Sequence, residues 1–66
     1  MQNTTTAYEI DNDKTVTELG FYEKAHEARK ACEARAEQEL KWTKRVDGIW
    51  EAPSSGCTYR LVMNSN

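Results

Sequence analysis

One histidine and two cysteines are the side chains here that most often act as bases, nucleophiles or metal ligands. A general base needs its nucleophile within hydrogen-bond reach. His26 and Cys32 are six positions apart on a predicted helix, which places them on different parts of its surface, and Cys57 lies in another element. Without a CxxC spacing, these residues do not predict a zinc site. We interpret His26 as a surface residue and both cysteines as small core residues.

Other catalytic patterns are missing from the sequence as well. It contains no phosphate-binding glycine motif, no nucleophile elbow and no HExxH pair. Gly20, Gly48 and Gly56 each lie at a break between predicted elements, as turn residues do. The carboxylates are spread along a helix surface, whereas a catalytic pair needs one acid in a pocket. We therefore expect no enzymatic activity, no cofactor and no metal.

Residues 41–45 form the segment with the most suggestive chemistry. A basic strand with an exposed aromatic residue can stack on an unpaired base and contact phosphates, and Trp42 with Lys44 and Arg45 fits that pattern. The alternative is that Trp42 packs in the core while the basic residues solvate a strand edge. We favour the alternative, because sheet-face RNA readers carry two or three aromatic residues on one open face.

Length and charge limit the remaining classes. The 66 residues carry a formal net charge of -2, with 38% hydrophobic and 30% charged residues. A chain this short forms one domain and has little room for a deep pocket beside its core. The nearly balanced charge does not favour binding to duplex nucleic acid or to an anionic membrane.

The N-terminal residues bear on location. Residues 1–7 are polar and lack the layout of a signal peptide, and no apolar run is long enough to span a membrane. We expect a cytoplasmic protein with reduced thiols. The initial Met1 favours a complete small gene product over an excised domain.

A single helix is predicted for residues 22–40. This segment is rich in strong helix formers and contains no glycine, proline or valine. Apolar residues recur at intervals of three or four and predict one buried stripe; they are Phe21, Ala25, Ala28, Cys32, Ala36 and Leu40. Because most of them are small, the helix axis should lie close to the layer that it covers.

Strands are predicted on both sides of this helix. Alternation and β-branched residues favour strands at 8–10, 14–19, 41–45, 49–52 and 57–63. Asn12-Asp13, Asp47-Gly48 and the loop 53–56 supply the turns. The predicted fold is a two-layer α+β domain of order β-β-α-β-β-β over residues 7–63. One helix packs on an antiparallel sheet of four or five strands, and residues 1–6 and 64–66 are flexible tails.

The predicted strands divide into two sets of side chains. The bulky residues expected to face the helix are Tyr8, Ile10, Val16, Trp42, Trp50, Tyr59 and Leu61. The residues expected on the opposite, open face are Glu9, Thr17, Thr43, Arg45, Ile49, Thr58, Arg60 and Val62.

Across residues 8–62, short motifs occur in a set order. They are Tyr-x-Ile, a turn, a short Thr/Val strand, the helix EARKACEARA, Leu-x-Trp-Thr, Asp-Gly-x-Trp-x-Ala and Gly-x-Thr-Tyr. In this order they resemble short, uncharacterised proteins of actinobacteria and their phages. The sequence departs from that group at Gly20-Phe21, where an earlier strand end is expected. The resemblance implies the α+β fold and implies no activity.

These observations lead to two hypotheses about function. The first is a non-enzymatic protein-binding module, a small accessory or inhibitor protein of phage origin that docks on a larger partner. Ile49, Arg60 and Val62 would lie on its open face, and the chain would be a monomer or an edge-strand homodimer. The alternative is a nucleic-acid-binding module that uses Trp42, Lys44, Arg45 and Arg60.

Overall fold

A computed structural model describes residues 4–64 of the chain. In chain order the elements are β1 (Thr4–Asp11), β2 (Val16–Tyr22), α1 (Ala25–Ala36), β3 (Thr43–Val46), β4 (Ile49–Ser54) and β5 (Cys57–Asn64). The strands form one antiparallel sheet in the order β2-β1-β5-β4-β3. The predicted α+β class and element order are therefore confirmed.

The helix carries the chain from one edge of the sheet to the other. Strands β2 and β3 form the two edges and lie four strand spacings apart, or about 19 Å. The 12 residues of α1 span about 18 Å. The helix contacts β1, β2 and β5. The helix therefore covers part of this crossing, and residues 37–42 lead from its end to β3.

The helix is shorter than the predicted span of residues 22–40. It begins after Lys24, whose backbone N–H donates to Glu27 Oε1 at 3.3 Å. It ends where Glu37 takes a left-handed conformation with φ of 59°. The Glu33 carboxylate then accepts the Leu40 backbone N–H at 3.2 Å. Leu40 therefore reaches the core from a loop, and composition could not show this because residues 37–40 are good helix formers.

The strand register defines two sides of the sheet, since residues directly opposite each other share a face. On the helix side, Ala7 lies opposite Leu61 and Ala52 lies opposite Tyr59, and all four are buried. The opposite side is called the open face below, because no element within residues 4–64 packs on it.

The core between helix and sheet is built largely from small side chains. Its buried hydrophobic members are Ala7, Ala28, Cys32, Leu40, Ala52, Tyr59 and Leu61. Leu19, Tyr22, Ala36, Trp42, Trp50 and Cys57 pack around them. Of the small residues predicted on the helix stripe, Ala28, Cys32 and Ala36 lie here and Ala25 does not. Ala7 and Ala52 belong to the same core from the sheet.

Three residues predicted to face the helix lie on the open face. Tyr8 is opposite Arg60 and Ile10 is opposite both Thr58 and Val16, so all three apolar side chains point away from the helix. The prediction was wrong because alternation shows which residues share a face but not which face is covered.

Glu9 and Thr17 were predicted on the open face and lie on the helix side. They are directly opposite each other, and Glu9 is also opposite the buried Tyr59. In β1 and β2, the prediction therefore assigned each of these side chains to the wrong face of the sheet. The close approach of the helix requires a small residue beneath it, and in β1 that residue is Ala7.

Gly20 was expected to end a strand, but β2 runs through it. The pairing of β1 and β2 shifts between Ala7 and Tyr8, and Gly20 takes φ of 153°, a conformation that disfavours other residues. The extra residue of this bulge places Phe21 opposite Thr6 on the open face. Phe21 was predicted on the helix stripe and is instead 68% exposed.

The predicted tails are partly within the sheet. Strand β1 begins at Thr4, and Thr5 and Thr6 are buried. Asn64 is the last residue of β5, and its side-chain amide donates to Thr6 Oγ1 at 2.8 Å. Because the two terminal strands pair with each other at the centre of the sheet, both are longer than expected. Residues 1–3 and 65–66 lie outside the described residues.

Strands β3, β4 and β5 follow the prediction more closely. Val46 and Ile49 pair on either side of Asp47-Gly48, which confirms that hairpin. Strand β4 extends through Pro53, which was predicted in a loop and pairs with Thr58. Strand β4 pairs with β3 only as far as Glu51. The missing N–H of Pro53 therefore removes no hydrogen bond between β4 and β3.

Candidate protein-binding surface

The open face carries a group of large apolar side chains, referred to below as the apolar patch. Its members are Tyr8, Ile10, Val16, Phe21, Val46, Ile49 and Val62. Phe21 is 68%, Val16 55% and Val46 58% exposed, and the other four are half-buried. Ile10 and Val16 lie on one side of a row of charged residues, and most of the other members lie on its other side. Exposed apolar side chains rimmed by polar residues are typical of interaction sites in small proteins.

The centre of the open face holds a compact group of charges. Glu51 Oε2 accepts a hydrogen bond from Arg60 Nε at 2.6 Å, and Arg60 is opposite it in the register. Arg45 Nε lies 3.6 Å from Glu51 Oε1. Glu18 lies opposite Tyr8 and supplies a second acid. The two arginines and two glutamates balance, so this face carries no net charge.

Four of the predicted binding residues are brought together on this face. Ile49 and Val62 are directly opposite each other, and Arg60 is two residues from Val62 on the same face. Arg45 reaches the group through its ion pair with Glu51. The alternation of β5, with Tyr59 and Leu61 buried on the helix side, produces this arrangement.

The other two predicted residues lie elsewhere. Trp42 precedes β3 and packs against the core. Lys44 lies opposite Trp50, on the helix side, and its Nζ is 3.1 Å from Asp47 Oδ1. Trp42 and Lys44 therefore do not form a joint surface with Arg45 and Arg60.

Sequence reasoning missed the N-terminal part of the patch. Tyr8, Ile10, Val16 and Phe21 were all expected to face inwards. One signal could have suggested otherwise, namely the alternation of Ala7 with Tyr8. A helix stripe made of alanines needs a small residue opposite it, and Ala7 is the small residue in β1.

The helix side holds a separate polar cluster at the end of β1. Arg35 donates to both oxygens of Glu9, from Nε at 3.0 Å and from the guanidinium NH2 at 3.1 Å. Tyr59 Oη donates to Glu9 Oε2 at 3.0 Å. The hydrogen bond from Arg35 is the main reason why the pKa of Glu9 is lowered, and partial burial opposes it. Two-point binding of this kind holds the helix to the hairpin.

The two cysteines remain free thiols. Cys32 is a buried residue of α1, and this burial raises the pKa of its thiol to about 11. Cys57 is half-buried, with Sγ 4.0 Å from Glu9 Oε2. His26 lies on the exposed side of α1, where it was predicted.

Residues 4–64 lack metal-binding clusters, pockets and membrane-spanning helices. They contain no group of three or more histidine, cysteine or acidic residues placed to hold a metal ion. No pocket occurs among them. Nor does this part of the chain include a helix long and apolar enough to cross a membrane.

Comparison with protein-family models, with curated proteins and with solved structures finds no match to the chain.

Proposed function

We propose that this protein is a small, non-enzymatic protein-binding module that docks on a larger partner through the open face of its sheet. The apolar patch is the observation that supports the proposal. Its side chains cost free energy while they are exposed to water, and an apolar protein surface would remove that cost. The paired charges at the centre would give the contact orientation.

The partner that fits this face is a protein with a flat apolar surface. The patch reaches from one edge of the five-stranded sheet to the other, from Phe21 and Val16 on β2 to Val46 on β3. Aromatic residues and arginine dominate binding energies at protein interfaces, and Tyr8, Phe21 and Arg60 supply them here. A role as an accessory or inhibitor protein of phage origin, acting in the cytoplasm, belongs to the same proposal. The two free thiols are compatible with that compartment.

The test is affinity capture from a lysate with three forms of the tagged chain, with and without nuclease. The open-face variant is Phe21→Ser. The matched control is Met63→Ser, which also changes a partly exposed apolar residue but on the helix side. We expect one stoichiometric protein that survives nuclease, is retained by Met63→Ser and is lost from Phe21→Ser. Equal recovery by all three forms would contradict docking through this face.

A second candidate, binding of single-stranded nucleic acid, is favoured by one observation. Tyr8 and Phe21 are aromatic residues on neighbouring strands of the open face, and Arg60 lies opposite Tyr8. Sheet-face RNA readers use such groups to stack bases. The carboxylate of Glu51 already pairs with Arg60, which reduces its attraction for phosphate.

Fluorescence anisotropy with a labelled single-stranded oligonucleotide tests this candidate. Binding should fall steeply with salt and be lost in Tyr8→Ala. An absence of binding at low salt would remove the candidate and leave the protein-binding proposal intact.

A further inference from the structure

We infer that, in the free protein, a second copy of the same chain covers the open face and forms a symmetric sheet-on-sheet homodimer. The inference rests on the proposed function, because it uses the same face, and it names the occupant. It differs from an edge-strand homodimer, which would pair β2 or β3 of two copies through backbone hydrogen bonds and leave the patch exposed.

Large apolar side chains are abundant on the open face of the sheet. Between the helix and the sheet, the largest fully buried side chains are Leu61 and Cys32. Three of the seven buried hydrophobic residues within 4–64 are alanines. Tyrosine, isoleucine, valine and phenylalanine side chains lie on the other side of the sheet. A chain this short is marginally stable with one core, and a second layer would build a second core from side chains already in place.

The charge of the open face is compatible with contact between two copies. A symmetric dimer places the same surface on both partners, so a face with net charge would repel its own copy. The open face has two acidic and two basic side chains, and Glu51 is paired with both arginines. A second copy therefore meets no net repulsion. A nucleic acid would instead need a face with excess positive charge.

The area of the open face can be compared with that of a specific interface. The strands contain 8, 7, 4, 6 and 8 residues. At about 3.3 Å rise and 4.8 Å spacing, they give a flat projection of roughly 500 Å². Side-chain relief makes the accessible area larger than this projection. Each partner of a specific interface buries about 600–1,000 Å², so a small dimer would need to use the whole face.

The packing mode follows from the register. Two sheets pack about 10 Å apart with their inner side chains interdigitating. Ile49 and Val62 are half-buried on one side of the paired charges, and Ile10 is half-buried on the other side. All three would belong to the apolar part of the second core. Phe21, standing out at 68% exposed, would insert into the facing sheet.

Sedimentation equilibrium of the full chain over a range of concentrations is the first experiment. We expect a concentration-dependent species of twice the 7.6 kDa chain mass. Phe21→Ser should weaken dimerisation by about 100-fold, roughly tenfold for each copy, while Met63→Ser should leave it nearly unchanged. A monomer at every concentration would overturn the inference, and so would equal dimerisation of both variants.

A dilution series followed by amide NMR of the unsubstituted chain locates the contact without relying on any variant. Shifts that follow dissociation should concentrate on side chains and amides around Ile10, Ile49 and Val62. If the affected groups are the outward N–H groups of β2 or β3 alone, the dimer is of the edge-strand type and the inference is wrong.

The two proposals can fail separately. A monomer that captures a protein partner through Phe21 would overturn the homodimer and keep the docking function. A dimer that buries the open face, with no capture that depends on Phe21, would keep the homodimer and overturn docking on a larger partner.

Discussion

The N-terminal hairpin β1–β2 and the C-terminal strands β3–β5 place their largest side chains on opposite faces of the sheet. In the C-terminal strands, Tyr59 and Leu61 are buried in the core on the helix side, and Trp50 packs against it. In the hairpin, Tyr8 and Phe21 face away from it. The C-terminal strands therefore supply the larger buried residues of the sheet, and the hairpin supplies four of the seven residues of the apolar patch.

The helix is attached to the two halves by different interactions. Over the C-terminal strands the contact is apolar, through Leu61 and its neighbours. Over the hairpin, the small Ala7 permits close approach, and Arg35 holds Glu9 by two hydrogen bonds. This difference shows that a few large residues on one half of a small sheet can be enough to attach the helix. The other half is then free to present apolar residues to a partner.

The largest expected effect contrasts neighbouring residues on opposite faces of β5. Leu61 is 1% exposed, and Leu61→Ala should cost about 2–5 kcal/mol, because a cavity is left in the core. A single small core supplies only about 3–5 kcal/mol, so much of this variant should be unfolded. Val62→Ala, on the open face, should cost about 1 kcal/mol in dilute samples. Urea unfolding followed by tryptophan fluorescence measures both, and equal losses would contradict the two-sided description of β5.

The next effect concerns the bulge that sends Phe21 outwards. Gly20→Ala should cost roughly 1–3 kcal/mol, because φ of 153° strains any residue with a Cβ atom. That Cβ would also meet Tyr22 Oη at 3.3 Å. Thr17→Ala, at an exposed position of the same strand, serves as the control and should change stability by no more than about 0.5 kcal/mol. Thermal or urea unfolding decides, and a neutral Gly20→Ala would mean that the bulge is dispensable.

A smaller effect tests the polar attachment of the hairpin. Glu9→Gln should cost roughly 1–2 kcal/mol, since charge-assisted hydrogen bonds are lost but Arg35 is half exposed and screened by solvent. Glu18→Gln is the matched control in the adjacent strand, because Glu18 makes no ion pair within residues 4–64. Its unfolding free energy should match that of the unsubstituted chain. If the two variants behave alike, the Glu9–Arg35 contact does not hold the helix.

The pH dependence of that contact is the finest test. The pKa of Glu9 is below its ordinary value because Arg35 donates to the carboxylate. Its contribution is complete above the unfolded pKa of about 4.3 and is lost as the pH falls through the lower folded pKa. The stability difference between the unsubstituted chain and Glu9→Gln should therefore shrink below about pH 4.3. A difference that stays constant to strongly acidic pH would contradict the lowered pKa.

Much of the architecture could be predicted from local patterns. Asp47-Gly48 predicted a tight hairpin, and the alternation in β5 placed Ile49, Arg60 and Val62 together on the open face. The helix was predicted in the right place but too long, because no glycine marks its end. It ends where Glu37 takes a left-handed conformation, and the Glu33 carboxylate then accepts the backbone N–H of Leu40.

The sequence by itself determined the α+β class, the element order and which residues share a face within each strand. These depend on turn chemistry and on the two-residue period of strands, which are local properties. Only the tertiary structure decided which face of β1 and β2 the helix covers. That choice depended on the close fit of an alanine-lined helix over Ala7, on the bulge at Gly20 and on the pairing of Glu9 with Arg35. Each joins residues distant in the chain, or shifts a register by one residue, and the small Ala7 beside Tyr8 is the one local signal of the outcome.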